Sequence, residues 1–368
     1  MIQRPGLLIF IDSLGFRQAE RAHLFEFLED RHPMIPGFGY SVNIQTEMVT
    51  GVSPDGAGFF CDWMFAPHGS RFRRYERFLR VLARISESSH ALNTLVHRLL
   101  NRFLFQCLAI PFDHLPWLER KGRYIFATGD CELLRRCNLI SYASVPGGPG
   151  EKDEWVFQEA LRSLRTRDRP VCVTFVDLDH IGHHDGPESA AFQAKLKWLD
   201  EHVRALAETL WSRHPDAPVV VMSDHGVSTV NEVRPVDLES IAGPPSPAHY
   251  TYFVDSTLVR VWTPAATVRE KLQRYLESVA VVVSPEERAA FGITSNLYGD
   301  LIAVAPDGVI FSPNFQSGRA IPAGMHGYHP LEPSQYGLWS TSKSNGKAPA
   351  GELRPQDVYA QLKETFVA

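Results

Sequence analysis

Nothing in the chain approaches the roughly 18 consecutive apolar residues that a membrane-crossing helix requires. The opening apolar stretch, Leu7–Ile11 within MIQRPGLLIFIDSLGF, is only strand length and runs straight into an acid. A secretory leader would need a longer apolar core and a small-residue cleavage site. The expectation is therefore a cytoplasmic protein, with a peripheral membrane contact left open. Cysteine is scarce: Cys61, Cys107, Cys131, Cys137 and Cys172 make five in 368 residues, and no CxxC pair occurs. That excludes a zinc ribbon or a thioredoxin-type centre and suits a reducing compartment. A basic excess is also missing. With 37 Lys and Arg against 42 Asp and Glu the net charge is -5, so no nucleic acid polymer is expected as a partner. Internal repeats and low-complexity domains are absent as well.

What is present fits a large α/β protein. Apolar residues make up 44% and charged residues 21%, enough to bury a full core. Three apolar runs, Leu7–Ile11, Val171–Val176 and Val219–Met222, each lead into polar or acidic residues and resemble buried strands of a mostly parallel sheet. Between the second and third, Phe192, Leu196, Leu199, Val203, Leu206 and Leu210 form one apolar stripe at helical spacing. Strand, amphipathic helix and strand make a βαβ unit. Residues 62–150 break this rhythm and read as a cap-like insertion, helical near Tyr75–Leu95. The apolar segment LLNRFLFQCLAIPFDHLPWL (99–118) reads as a helix ending before Pro111, with lipid contact left open. Gly147–Glu151 marks a loop returning to the sheet. Residues 231–320 read as a small α+β insertion: strand material over 251–262, a helix near Thr267–Ser278, then strands at 279–283, Leu301–Val304 and Val309–Phe311. The tail from Gly337 reads as a surface loop before a last helix near Pro355–Phe366.

Four separated segments carry metal-ligand side chains, three of them just past a strand end, where open α/β sheets place their sites. They are FIDSLG with Asp12, VDLDHIGHHDGP with Asp179 and His183, VMSDHG with Asp224 and His225, and GMHGYHP with His326. Each alone has an ordinary explanation as a turn former, cap or surface group. Together they supply carboxylate and imidazole without thiolate, the donor set of catalytic zinc or manganese. Six ligands exceed what one tetrahedral ion needs and suit two divalent ions, each with an open position. Asp177 is a further acid that alternation could bring to the face of Asp179. His184 and His329 read as solvent-side groups or as groups orienting a ligand, with His180 and Asp185 crowded nearby.

This set, D…S/T…DxxGH…DHG…HG, resembles the type I phosphodiesterase/nucleotide pyrophosphatase branch of the alkaline phosphatase superfamily. DHIGHHDGP is similar to that family's PDxxGHxxGP, with Leu178 in place of the leading Pro, and MHGYHP to its HGYxP. The resemblance spans residues 12 to 330 and implies an alkaline phosphatase-like three-layer sandwich. It implies one metal held by Asp179, His183 and His326, and a second by Asp12, Asp224, His225 and the nucleophile hydroxyl. Counting back from the turn VTGVSPDGAG (49–58), similar to the family's TG-x-x-P-x-x-x-G, lands on Ser41 as nucleophile, with Thr46 as the fallback. The family's Pro-Asn pair is Val42-Asn43 here, which leaves the phosphate or oxyanion contact of Asn43 open.

The implied activity is two-metal hydrolysis of a small-molecule or lipid-linked phosphate ester through a phosphoserine. A diester is favoured because no basic residue can be placed near Ser41 to clamp a monoester dianion. Phosphomonoesterase, sulfatase and phospho-transferase chemistry share the same constellation. A mononuclear iron oxygenase using Asp179, His183 and His326 would leave Asp12, Asp224 and His225 unexplained, and a non-catalytic binding protein would leave the whole set so. The sequence gives no oligomeric state.

Overall fold

The structure is a computed structural model that describes residues 4–87, 109–146, 148, 150–342 and 351–367. The chain divides into two compact units, residues 1–60, 123–230 and 322–368 in the larger and 61–122 with 231–321 in the smaller. The sequence reading separates 62–150 from 231–320. In the structure residues 61–122 group with 231–321, while Asn138–Ile140 pairs in parallel with Val171–Phe175 and so draws the segment after 122 into the larger unit.

The larger unit is built on a six-stranded sheet ordered Asp30–Met34, Gly337–Thr341, Val219–Met222, Leu7–Ile11, Val171–Phe175 and Asn138–Ile140. All run parallel except Gly337–Thr341, which is antiparallel to both neighbours. Strand alternation supplies both cores. Leu7, Ile9 and Ile11 pack with Val171, Val173, Val219 and Val221 under the helices Asp153–Thr166 and Ala190–Trp211, which carry the predicted apolar stripe. Leu8, Phe10, Cys172, Val220 and Met222 face the opposite way, against Ser41–Thr50 and Pro355–Phe366. Helices on both faces of a mostly parallel sheet make the expected three-layer sandwich.

The smaller unit holds an antiparallel sheet ordered Thr251–Val254, Leu258–Trp262, Leu301–Val304 and Val281–Val282. Trp63, Phe72, Leu79, Phe112, Phe253 and Phe315 form its core.

Several expectations are corrected. The tail from Gly337 begins not as a surface loop but as a fully buried inner strand. Leu338 and Trp339 explain it, since each enters one of the two cores. Residues 251–262 split into two strands because Asp255, Ser256 and Thr257 form the turn between them. The strand expected over 279–283 shrinks to Val281–Val282, Val279 being the end of the Ala266–Val279 helix. The helix expected near Tyr75–Leu95 is described from Glu76 to Glu87. Its remainder, residues 99–108 of the apolar segment, and Gly147 and Pro149 of the loop lie outside the described residues. Among the described residues no helix is long and apolar enough to cross a membrane.

Candidate metal centre

Three neighbouring central strands end side by side, and each hands its next residues to the site. Asp12 follows Leu7–Ile11, and Asp224 with His225 follows Val219–Met222. Past Phe175 the chain turns at once into the helix Asp177–Asp185, which carries Asp179 and His183 one turn apart on one side. His326 arrives from the other end of the larger unit's sequence. Gly324–Met325 pairs antiparallel with Ser228–Thr229, only three residues beyond His225. Gly324 permits the approach, because a Cβ there would lie 2.5 Å from the carbonyl oxygen of Gly182.

The result is two clusters. In one, His225 Nε2 lies 3.8 Å from Asp12 Oδ1 and 3.5 Å from Asp224 Oδ2. In the other, Asp179 Oδ1 lies 3.4 Å from His183 Nε2 and 3.6 Å from His326 Nε2. Within each group the potential ligand atoms are all within 4.8 Å of one another. The His225 and His326 rings stack at 3.8 Å between centroids, so the clusters adjoin. His225 Nδ1 faces the carbonyl of Gly226 at 3.0 Å and His183 Nδ1 that of Gly324 at 2.8 Å. Those bonds fix the proton on Nδ1 and leave Nε2 as a lone-pair donor turned into the site.

The residues fit cations. Asp12 Oδ1 and Asp179 Oδ1, one in each cluster, are buried without a hydrogen-bond partner. Burial, and then the carboxylates of Asp224 and Asp179, raise the Asp12 carboxyl well above the ordinary range. Asp224 is also raised by burial, against the opposing pull of His225 and of the Gln45 amide. Burial with the neighbouring His225 and His183 pushes His326 well below the ordinary histidine range. Three carboxylates and three imidazoles packed this closely are costly without compensating positive charge.

Ser41 is the first residue of the helix Ser41–Thr50, and its Oγ lies 2.9 Å from His225 Nε2. Gly39, at φ 106°, makes the entry to that helix, where a Cβ would meet the Phe60 carbonyl oxygen at 2.0 Å. The fallback Thr46 instead donates to the Val42 carbonyl at 2.7 Å, inside its own helix. Asn43 Oδ1 accepts from the Tyr40 N–H at 3.1 Å and its Nδ2 donates to the Phe38 carbonyl at 2.8 Å. Any phosphate contact from Asn43 must therefore use its second Nδ2 hydrogen.

Asp177 does not join either cluster. Its carboxylate accepts the N–H groups of Lys152 and Asp153, while Asp153 accepts those of Val176 and Asp177, and Lys195 Nζ sits 2.9 Å from Asp153 and 3.6 Å from Asp177. This reciprocal lock anchors the helix that carries Asp179 and His183. His184 is exposed and pairs with Asp185, and His329 accepts from the Leu331 N–H in its own turn.

Sequence reasoning missed the supports. Gln45 Nε2 donates to Asp224 Oδ2 at 3.0 Å, and Ser223 Oγ accepts from the Leu14 N–H at 2.9 Å and donates to the His225 carbonyl. Gln45 stands one helical turn after Ser41, the only cue available beforehand.

Comparison with known proteins gives the chain its family and its fold. The profile of the type I phosphodiesterase / nucleotide pyrophosphatase family matches residues 45–329, a span that includes Asp179, His183, Asp224, His225 and His326 and begins after Asp12 and Ser41. GPI ethanolamine phosphate transferase 2 of Saccharomyces cerevisiae (strain ATCC 204508 / S288c) is 24% identical over 202 residues, 51% of this chain; the chain spans only 22% of that relative's length. An inactive variant of murine ectonucleotide pyrophosphatase / phosphodiesterase 5 in complex with AMP superposes at a TM-score of 0.62 and 15% identity, covering 99% of this chain and 95% of its own. Phosphonoacetate hydrolase from Sinorhizobium meliloti 1021, in complex with phosphonoformate, gives 0.61 and 15%, covering 99% and 96%. These solved structures share the fold. The chain belongs to the type I phosphodiesterase/nucleotide pyrophosphatase family, a branch of the alkaline phosphatase superfamily.

Proposed function

We propose that the protein is a two-metal hydrolase that cleaves phosphodiesters through Ser41. The observation that carries this reading is the Ser41 hydroxyl 2.9 Å from His225 Nε2, beside two adjoining ligand clusters. Asp12, Asp224, His225 and Ser41 would hold one divalent cation, and Asp179, His183 and His326 the other. Oxygen and nitrogen donors without thiolate favour zinc, with manganese as the alternative. When bound, such cations supply Lewis acidity, lower the pKa of a coordinated hydroxyl and offset charge on the phosphoryl oxygens.

The chain's own residues do the rest. Ser41 Oγ, having lost its proton to solvent, attacks phosphorus in line; the Oγ–P bond forms as the bond to the departing alkoxide breaks, and water then cleaves the resulting Ser41 phosphodiester, which still carries the substrate's second alcohol. As the first residue of its helix, Ser41 carries its developing charge at the positive end of the helix dipole. The 2.9 Å approach of Ser41 Oγ to His225 Nε2 puts both atoms within reach of one cation, and Gln45 and Ser223 keep Asp224 and His225 in place. Among the described residues no Lys or Arg nitrogen is paired with Ser41, Asp12, Asp179 or Asp224. A diester needs less positive charge than a monoester dianion, which supports the diester reading. Cys61, Cys131, Cys137 and Cys172 are free and buried, which suits a reducing compartment.

A second reading follows from the similarity to an ethanolamine phosphate transferase: the Ser41 phosphodiester could be resolved by an alcohol instead of water. The test is turnover of a chromogenic phosphodiester against the matching monoester and sulfate ester, with acid-quenched mass spectrometry of the Ser41 peptide. Diester preference with a Ser41 adduct carrying the phosphoryl group and the retained alcohol is expected. Turnover without any adduct, undiminished in Ser41→Ala, would overturn the serine route. Added acceptor alcohols that divert product would establish transfer.

A further inference from the structure

The smaller unit carries a concentrated basic segment. Residues 71–84 read RFRRYERFLRVLAR, six arginines against one glutamate in a chain of net charge -5. They fold as the turn Arg73–Tyr75 leading into the helix Glu76–Glu87. Leu79 and Ala83 enter the core of the unit. Phe78 and Val81, on another side of the helix, are 64% and 55% exposed, and Tyr75 beside them is 49% exposed. Three of the ten most exposed large apolar side chains among the described residues thus fall within one short segment, a concentrated patch rather than the usual scatter. Arg77 and Arg84, two turns apart, share one edge of that stripe and form no ion pair or hydrogen bond among the described residues. Arg74 lies over the Tyr75 ring at 4.7 Å.

We propose that this face docks on an anionic phospholipid surface. Phe78, Val81 and Tyr75 enter the headgroup boundary while Arg74, Arg77 and Arg84 meet lipid phosphates. Charge complementarity selects the anionic partner, because this segment is strongly basic on an otherwise acidic chain. The apolar centre selects lipid, since a nucleic acid backbone offers nothing for exposed Phe and Val to bury against.

The test is flotation of the full chain with phosphatidylcholine vesicles, with and without phosphatidylserine. Binding should require phosphatidylserine and weaken as salt is raised. Phe78→Asp with Val81→Asp, and separately Arg77→Glu with Arg84→Glu, should each weaken that binding by about tenfold or more. All four positions are exposed, so the melting temperature should stay unchanged, separating lost docking from lost folding. Failure of the wild-type chain to float with phosphatidylserine overturns the proposal, as does flotation that survives both double variants. Binding of soluble poly-glutamate that competes with vesicles and ignores the Phe78 and Val81 changes would make the face a site for an acidic protein, also overturning it.

Discussion

The two ligand clusters use the same residue types but are held by different means. Asp12, Asp224 and His225 come off adjacent parallel strands, and the side chains of Asp224 and His225 are 0% and 2% exposed. Asp179 and His183 ride a nine-residue helix, with side chains 26% and 29% exposed, and depend on a distant loop for His326. A strand-end cluster inherits the rigidity of the sheet. A cluster on a short helix is only as firm as the helix's anchor, which here is the Asp153–Asp177–Lys195 lock and the Gly324 contacts. On the function proposed above, the nucleophile belongs to the buried cluster, and the partly exposed cluster is where water would arrive.

The largest expected effect is at Ser41. Ser41→Ala should lower diester turnover by about a thousandfold or more while metal content stays the same; near-normal turnover would remove Ser41 from the mechanism. Next, Asp224→Asn should cost the buried cluster its ion and leave the exposed one filled, read by elemental analysis. Loss of both ions together would mean that the clusters are one coupled site.

Lys195→Met sharpens the contrast further. It leaves two buried carboxylates facing each other at the start of the Asp177–Asp185 helix, so stability should fall by about 3 kcal/mol. Metal affinity at the exposed cluster should weaken by about tenfold, with the buried cluster unaffected. Equal loss at both clusters would show that the lock serves the whole unit rather than one helix.

The smallest effect lies on the helix of Ser41. Burial pushes the Glu47 carboxyl up from 4.5 to about 7, against opposing contributions from Gln356 and Arg354. The folded state therefore holds this proton more tightly than the unfolded chain. The stabilisation is fully present below pH 4.5 and is lost as pH rises through about 7. Glu47→Gln should remove that slope and raise stability at pH 8 by about 1–2 kcal/mol, measured by urea unfolding across pH. An unchanged slope would assign the pH dependence elsewhere.

Much of this contrast was legible beforehand because the strand-end ligands announce themselves. An apolar run stopping at an acid is visible in LLIFID and VVVMSDH whatever surrounds it. The helix stripe from Phe192 to Leu210 was legible for a similar reason, since one face buries a periodic set. Gly337–Thr341 was not, because Gly, Ser and Thr outnumber the two large side chains that fill the opposing cores. The supports were invisible too. Whether Gln45 reaches Asp224, or Lys195 reaches Asp153, depends on contacts across 179 and 42 positions of sequence that no local pattern encodes.

The most direct measurement is the metal content of the wild-type chain purified without chelator, repeated after brief exposure to EDTA. Two zinc or manganese ions per chain are predicted, one for each cluster. The ion at Asp179, His183 and His326, two of whose side chains are partly exposed, should leave first, and diester turnover should fall with it. A chain that retains no metal even after zinc and manganese are added back, yet still turns over diester, would contradict the account at its centre.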